Sequence, residues 1–134
     1  MIKITRLNHS ALDCRVEVDA MRRFYVDVLG VNTVDRDIPE QLAALIPGFW
    51  MQFPNGQVHV IQCDDSSGER KVLPELAGKP LDPMGPHTAF YVEDIEAVET
   101  QLSSEGIDYQ RMDQFIFAAD PAGNTVEFQQ DPEM

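Results

Sequence analysis

The strongest constraint on the fold of this chain is a repeat: the same order of strand, helix and turn signals occurs twice within its 134 residues. In each half a strand-like stretch with a histidine precedes an amphipathic helix that ends at a glycine, and a glycine turn then leads into a closing strand. The two histidine-bearing stretches, HSAL at 9–12 and HTAF at 87–90, share a histidine, a small hydroxyl residue, an alanine and a large apolar residue. Repeats of this kind usually pack side by side, so the sequence predicts an α+β domain of two βαβββ modules.

The module boundaries follow from composition and from the position of turn residues. A single domain is predicted over residues 1–134, with a first module at 1–63 and a second at 86–130. Residues 64–85 are rich in glycine, proline, serine and charge, and they show no sustained strand period. We therefore expect them to connect the two modules.

The helix of each module has a predicted capping residue and a predicted buried face. Asp19 is expected to cap the first helix and Asp94 the second, because an aspartate side chain can accept a hydrogen bond from the free N–H groups of the first turn. Helical spacing predicts the apolar faces, which are Met21, Phe24, Tyr25, Val28 and Leu29 in the first helix and Ile95, Val98 and Leu102 in the second.

The charge balance limits the partners that this chain can have. Its 23 acidic and 10 basic residues give a formal net charge of −13. Such a field repels phosphate backbones and anionic lipid surfaces, so we expect neither nucleic-acid nor membrane binding. The sequence contains no apolar run near the ~18 residues that span a bilayer and no signal-peptide pattern, and a cytoplasmic location is expected.

Four polar residues occupy equivalent positions in the two modules. His9 and His87 share one position, while His59 and Glu127 share the other, in the strand that follows a turn glycine in each module. In strands, alternate residues share one face, and an alanine two residues after His9 and after His87 leaves room beside each imidazole. If the two halves of the sheet curl toward each other, all four side chains can converge on one cavity.

The chemistry of these four side chains suits a metal ion. Neutral imidazole nitrogens and a carboxylate are good ligands for Zn, Ni, Fe, Mn or Co, and they can leave positions open for water or a small-molecule substrate. The sequence therefore predicts one divalent metal ion held by His9, His59, His87 and Glu127. The alternative is structural, since a histidine in a strand is often a hydrogen-bonded core residue and a lone glutamate is usually solvated.

Three further residues are candidates for substrate binding. Arg15 lies on the His9 side of its strand by alternation, Trp50 lies on the strand before His59, and Tyr109 lies on a strand of the second module. Each also has an ordinary alternative, which is solvent exposure for the arginine and core packing for the two aromatic residues.

Four segments taken in order resemble the vicinal oxygen chelate superfamily, which includes glyoxalase I, extradiol dioxygenases, methylmalonyl-CoA epimerase and fosfomycin-resistance proteins. The segments are LNHSALDC, RRFYVDVLGV, HTAFYVEDIEAVETQLSSEGI and DPAGNTVEFQQ, and the resemblance covers nearly the whole chain. It implies paired βαβββ modules that form a cupped mixed sheet around a metal. The family's metal positions fall on His9, His59, His87 and Glu127. Dimers are common in this superfamily, so the resemblance also implies a homodimer, with modules paired within one chain or between two chains.

The resemblance implies a reaction class and leaves alternatives open. The leading hypothesis is a glyoxalase-like lyase or isomerase in which a metal stabilises an enediolate of a small carbonyl or hydroxy substrate, and Glu127 or His59 moves the proton. Glyoxalase I commonly has Glu where this chain has His59, and its bacterial type tends to have Arg where this chain has Asp13, which disfavours a glutathione substrate. One alternative is an Fe(II)-dependent extradiol-type dioxygenase, and another is a non-catalytic small-molecule-binding protein of the same fold.

Overall fold

The computed structural model describes residues 1–15, 17–65, 67–77 and 81–134, so positions 66 and 78–80 of the predicted connector lie outside the described residues. Within these ranges the strands are β1 (Ile4–Asp13), β2 (Thr33–Val34), β3 (Gly48–Phe53), β4 (Gly56–Ile61), β5 (His87–Val92), β6 (Tyr109–Met112), β7 (Phe115–Ala119) and β8 (Thr125–Gln130). They form one mixed sheet in the order β2-β3-β4-β1-β5-β8-β7-β6. This is the α+β architecture that the repeat predicts.

The helices are short and few in the described residues. They are α1 (Val18–Arg22), which continues as a π-helix over Arg23–Val28, α2 (Glu40–Leu45) and α3 (Ile95–Ser104), with a 3₁₀ turn at Pro74–Leu76. None of the helices in the described ranges has the length and apolar character needed to cross a membrane.

The two modules are joined at the centre of the sheet by β1 and β5. These strands pair antiparallel, with His9 opposite Ala89 and Ala11 opposite His87. Each of them also pairs in parallel with the last strand of its own module, β1 with β4 and β5 with β8. The same arrangement in both halves places equivalent residues on the same face of one continuous sheet, within a single chain.

Helix α3 covers the second module and follows the sequence prediction closely. Its first turn is capped by Asp94, whose Oδ1 accepts a hydrogen bond from the backbone N–H of Glu96 at 3.0 Å. It ends before Gly106, which has a φ of +68° that a residue with a Cβ adopts at a cost. Its buried residues Ile95, Val98 and Leu102 pack with Val92 of β5 and with Ile116 and Ala118 of β7.

Helix α1 departs from the prediction in its cap and in its buried face. The helix begins at Val18, its N-cap is Glu17, and no side chain caps it, so the predicted Asp19 cap is wrong. The π-helical hydrogen bond from the N–H of Leu29 to the carbonyl of Phe24 widens the turn and shifts the spacing of the buried positions. Phe24, Val28 and Leu29 are consequently exposed, whereas Val18, Met21, Tyr25 and Val26 pack against the cluster formed by Cys14, Phe49, Met51 and Val60.

Replacing Ile116 tests the packing beneath α3. Ile116 has no solvent exposure, and Ile116→Ala should lower the free energy of unfolding by about 2–5 kcal/mol because it leaves a cavity in a close-packed cluster. Urea denaturation measures the loss. The matched control is Ile107→Ala, since Ile107 is 42% exposed and its truncation should change the stability by less than about 0.5 kcal/mol. Equal effects of the two substitutions would contradict the assignment of this core.

Candidate metal centre

Strand register brings the predicted site residues onto one face of the sheet. Across the central strands, Ala89 of β5 pairs with both His9 of β1 and Glu127 of β8. Strands two positions apart are separated by about 9–10 Å, yet Nε2 of His9 lies 3.9 Å from Oε1 of Glu127. The side chains of His9 and Glu127 therefore lean toward each other above Ala89, whose small side chain leaves the space in which they meet.

Three donor atoms lie close together at the centre of this face. Nε2 of His9 is 3.0 Å from Nε2 of His87, which is in turn 3.2 Å from Oε1 of Glu127. All three side chains are buried, with exposures of 4–7%. Within the described residues they form a group that could hold a metal ion, each offering one ligand atom.

The outer hydrogen bonds of these side chains orient their inner atoms. Nδ1 of His87 donates to the carbonyl oxygen of Gly85 at 2.8 Å, and because a carbonyl can only accept, Nε2 carries the lone pair when the ring is neutral. Nδ1 of His9 is paired with Oδ1 of Asn8 at 3.2 Å, which has the same consequence for Nε2 of His9. The outer oxygen of Glu127, Oε2, accepts from Nε2 of Gln129.

This donor set fits a divalent cation. Two lone pairs that face each other at 3.0 Å beside a carboxylate repel one another unless a proton or a cation lies between them. Nitrogen and oxygen ligands bind such ions at about 2.0–2.2 Å, which places neighbouring ligand atoms of one ion about 3.0–3.5 Å apart. Two of the three observed separations lie in this range, and the third exceeds it by a few tenths of an ångström.

Burial and mutual charge set the protonation of the three groups. Burial is the main cause that lowers the pKa of His9 to about 3, with His59 and His87 adding to the effect and Glu127 opposing it. Burial is also the largest single effect on His87 and opposes its charged form, but the hydrogen bond with Glu127, the charge of Glu127 and the hydrogen bond with Gly85 together outweigh burial, so the pKa of His87 is raised above its usual value. For Glu127 burial acts to raise the pKa, whereas His87 and His9 more than offset it, so the pKa of Glu127 is lowered and the group stays ionised.

His59 lies beside the three donors and faces a different partner. Its ring stacks on His9 at a centroid distance of 3.9 Å and, on the other side, on Trp50 at 3.9 Å. Its Nε2 is 2.8 Å from Oε1 of Gln57. The structure therefore brings three of the four predicted ligands together and places the fourth in a ring stack next to them. Burial, followed by the charges of His87 and Arg36, lowers the pKa of His59 to about 3.

A chain of side-chain amides determines which nitrogen of His59 carries the proton. Nε2 of Gln52 donates to the carbonyl of Phe53 at 2.8 Å, so the other atom of that amide, Oε1, is free to accept from Nε2 of Gln57 at 2.7 Å. Oε1 of Gln57 then accepts from His59, whose Nε2 must be the protonated nitrogen. The lone pair of the neutral His59 ring is consequently on Nδ1.

The three histidines and Glu127 line a cavity of about 630 Å³, a size suited to a small-molecule ligand. The histidines, Glu127 and Trp50 lie on its walls, together with apolar side chains from both modules. Among the described residues that line it, Arg36 is the one basic side chain other than histidine. The apolar members include Val34, Ile38, Leu42, Met112, Phe115 and Phe117.

Two of the three predicted substrate-binding residues lie away from this cavity. Arg15 follows the end of β1, is exposed, and has a φ of 55°. Tyr109 packs against the cluster under α3, with its hydroxyl 3.2 Å from that of Ser103. Substrate contacts by these two side chains remain predictions. Trp50 is the predicted substrate-binding residue that lines the cavity.

Sequence reasoning did not single out the side chains that orient the site. Gln57 and Gln129 lie two residues from His59 and Glu127 on the same strand face, so strand alternation could have identified them. Asn8 precedes His9, and alternation predicts that it points the other way. A register shift between Leu7 and His9 interrupts the β1–β5 ladder, and Asn8 and His9 are buried in succession.

Three solved structures of methylmalonyl-CoA epimerases share this architecture. The methylmalonyl-CoA epimerase of Mycobacterium tuberculosis aligns with 97% of this chain and 91% of its own length, at 23% identity and a TM-score of 0.65. A methylmalonyl-CoA epimerase in complex with methylmalonyl-CoA and NH4+ aligns at 17% identity, with coverage of 97% and 96% and a TM-score of 0.68. A Streptomyces coelicolor methylmalonyl-CoA epimerase variant in complex with 2-nitronate-propionyl-CoA gives the same coverage, identity and TM-score.

These alignments confirm the vicinal oxygen chelate fold that the sequence resemblance implies. At identities of 17–23% they establish the fold and leave the reaction to be argued from the residues. No model of a known protein family and no curated protein matches the chain.

The low pKa of His59 predicts a specific loss of stability in acid. The folded protein holds His59 neutral down to a pH of about 3, whereas the unfolded chain protonates it near pH 6.5. As the pH falls from 6.5 toward 3, His59 therefore binds a proton in the unfolded state but not in the folded state. The free energy of unfolding decreases as a result. Urea denaturation of metal-free wild type and His59→Phe at pH 7.5 and pH 4.5 measures this. The phenylalanine keeps the stack on Trp50 but does not titrate, so the variant should lose less stability than the wild type between the two pH values. Equal losses of stability in the wild type and in His59→Phe would contradict the lowered pKa of His59.

Proposed function

We propose that this protein is a metal-dependent lyase or isomerase that moves a proton at a carbon beside a carbonyl group of a small oxygenated substrate. The observation that supports it is the convergence of His9, His87 and Glu127 on one point, with the ring of His59 stacked on that of His9. A cation centre and a proton acceptor next to each other are the two parts that such a reaction needs.

The three buried donors would hold one divalent ion. When bound, such an ion would supply Lewis-acid stabilisation for negative charge on a substrate oxygen. His9 and His87 offer neutral nitrogens and Glu127 offers a single charge, so the centre as a whole keeps a net positive charge for an oxygen-rich substrate. The apolar wall of the cavity excludes water and binds the carbon skeleton of the substrate.

His59 is the residue that we assign to proton transfer. Both oxygens of Glu127 are engaged, one toward the histidines and one with Gln129, whereas Nδ1 of His59 carries a lone pair. Its low pKa keeps this nitrogen unprotonated at neutral pH. When negative charge develops on the substrate a few ångströms away, the imidazolium form is favoured and the nitrogen can accept the proton. Glu127 remains the other candidate base that the sequence predicts.

Trp50 has a positioning role in this proposal. Its indole lies parallel to the His59 ring, at an interplanar angle of 1°, and the two residues are register partners in the β3–β4 hairpin. The stack holds the imidazole plane against rotation, so the direction of Nδ1 is maintained while the substrate enters. A ring on the cavity wall also provides an apolar surface for the substrate.

The solved structures of the same fold support an isomerase. Two of them are named as methylmalonyl-CoA epimerases and hold a coenzyme A thioester or an analogue of one. A thioester of this class is therefore one substrate to test, alongside small α-hydroxyketones.

A second candidate function is an Fe(II)-dependent extradiol-type dioxygenase. Two histidines and one carboxylate grouped at one site form the ligand set that non-haem Fe(II) oxygenases use, and His9, His87 and Glu127 match it. A binding protein without catalysis is a third hypothesis. The expected homodimer and the cytoplasmic location remain predictions.

Two phenylalanine variants separate binding of the metal from catalysis. His87→Phe should lose stoichiometric metal because it removes one of three ligands, whereas His59→Phe should keep the metal and lose proton exchange by about 10²–10⁴-fold. Metal content is measured on protein purified without a histidine tag. Deuterium exchange in D₂O is followed by NMR with hydroxyacetone and methylmalonyl-CoA as probes.

The same protein preparations decide between the candidate functions. Bound nickel, zinc or cobalt with exchange beside the carbonyl supports the isomerase or lyase, and bound iron with catechol-dependent oxygen uptake supports the dioxygenase. Metal without either reaction favours a binding protein. Loss of metal in His59→Phe would make His59 a ligand and overturn its assignment as the base.

The amide chain gives a matched test of the His59 assignment. Gln57→Glu keeps an oxygen that accepts from Nε2 of His59, whereas Gln57→Leu removes it. We expect exchange activity to persist in Gln57→Glu and to fall by roughly tenfold or more in Gln57→Leu, because the ring can then protonate at Nδ1. Metal affinity should change little in either variant. Equal activities of the two variants would contradict the role of the tautomer.

A further inference from the structure

We propose that Asn8 is a positioning residue that sets the tautomer of His9, and thereby the affinity of the metal centre, at the expense of its own amide N–H groups. The inference rests on the metal centre of the proposed function. In the described part of the chain, Nδ2 of Asn8 is the one buried side-chain nitrogen or oxygen without a hydrogen-bond partner. Asn8 is 8% exposed, and the nitrogen itself is shielded from bulk solvent.

An unsatisfied buried donor is costly, and its presence calls for a physical reason. The other end of the same side chain provides one, since Oδ1 of Asn8 lies 3.2 Å from Nδ1 of His9. A neutral imidazole carries one N–H, and an oxygen at Nδ1 favours the proton on that nitrogen. The lone pair is then on Nε2, the atom that lies 3.0 Å from Nε2 of His87.

Reversal of the Asn8 amide would have the opposite effect. An NH₂ group facing Nδ1 of His9 would need the lone pair on that nitrogen, and Nε2 would carry the proton and point at the other two donors. Such a ring is no ligand until it changes tautomer. The observed orientation therefore prepares the centre for a cation, and the orphan N–H of Asn8 is its consequence.

Asn8 differs from the outer partners of the other two donors. His87 is oriented by the backbone carbonyl of Gly85, which no side-chain substitution removes, and Gln129 donates to the carboxylate of Glu127. Among the three donors, His9 is the one whose ring tautomer is set by a replaceable side chain. Asn8 reaches this position through the register shift between Leu7 and His9, and irregularities of this kind often occur beside functional sites.

Two substitutions of Asn8 test the inference in opposite directions. Asn8→Leu removes both the acceptor and the orphan donor, so the affinity for Zn²⁺ and Co²⁺ should fall about 10- to 100-fold while the melting temperature of the metal-free protein rises or stays unchanged. Asn8→Asp replaces the acceptor by a charged one without an N–H, so both metals should bind more tightly than in the wild type. Competition with a chromophoric chelator measures the affinities.

Asn32→Leu and Asn32→Asp are the matched controls. Asn32 is exposed, and its backbone carbonyl, which a side-chain substitution retains, accepts from the N–H of Gln52. The Asp control therefore reports the effect of one added negative charge away from the centre.

The outcomes separate this inference from the proposed function. Metal affinity in Asn8→Leu equal to that of Asn32→Leu would overturn the inference. If Asn8→Leu does not fold, equal affinities in Asn8→Asp and Asn32→Asp overturn it alone. A wild type that binds neither Zn²⁺ nor Co²⁺ would overturn both the inference and the proposed function. Metal binding that depends on Asn8, without proton exchange or oxygen uptake, would leave the inference standing and overturn only the enzymatic proposal.

Discussion

The antiparallel pairing of β1 with β5 is the interaction on which the rest of this structure depends. It joins the two modules edge to edge and sets His9 opposite Ala89. Because side chains alternate along a strand, a slip of one residue in this register would turn His87 toward the face that α3 covers. The cavity would then have one imidazole at its centre instead of two. The formation of the site and the assembly of the two modules are therefore the same event.

The site combines neutral rings with one retained charge. Burial keeps the rings of His9 and His59 unprotonated, while Glu127 stays ionised because the neighbouring histidines lower its pKa. A buried carboxylate beside nitrogen lone pairs favours a cation over any neutral ligand. The formal net charge of −13 acts in the same direction, since it concentrates cations near the protein and disfavours anionic partners.

Much of this arrangement was predictable from the sequence because repeats and strand alternation act over the whole chain. The histidine stretches, the capping Asp94 and the equivalence of His59 and Glu127 depend on spacing alone, and spacing is written in the sequence. The predictions failed or stopped where the outcome depends on a local irregularity or on a rotamer. The π-helix shifted the buried face of α1, and the register shift beside His9 brought Asn8 into the interior. That His59 is paired with an amide two residues away is set by side-chain torsions, which a strand pattern does not contain.

The stack of Trp50 on His59 gives the metal centre an intrinsic fluorescence signal. Trp50 is the single tryptophan of the chain, and its indole lies 3.9 Å from the ring of His59 with the two planes parallel. All indole emission of this protein therefore originates at the wall of the cavity. A change in the charge, metal content or solvation of the centre alters the surroundings of the only strong fluorophore, so the protein carries an intrinsic optical probe of its own site.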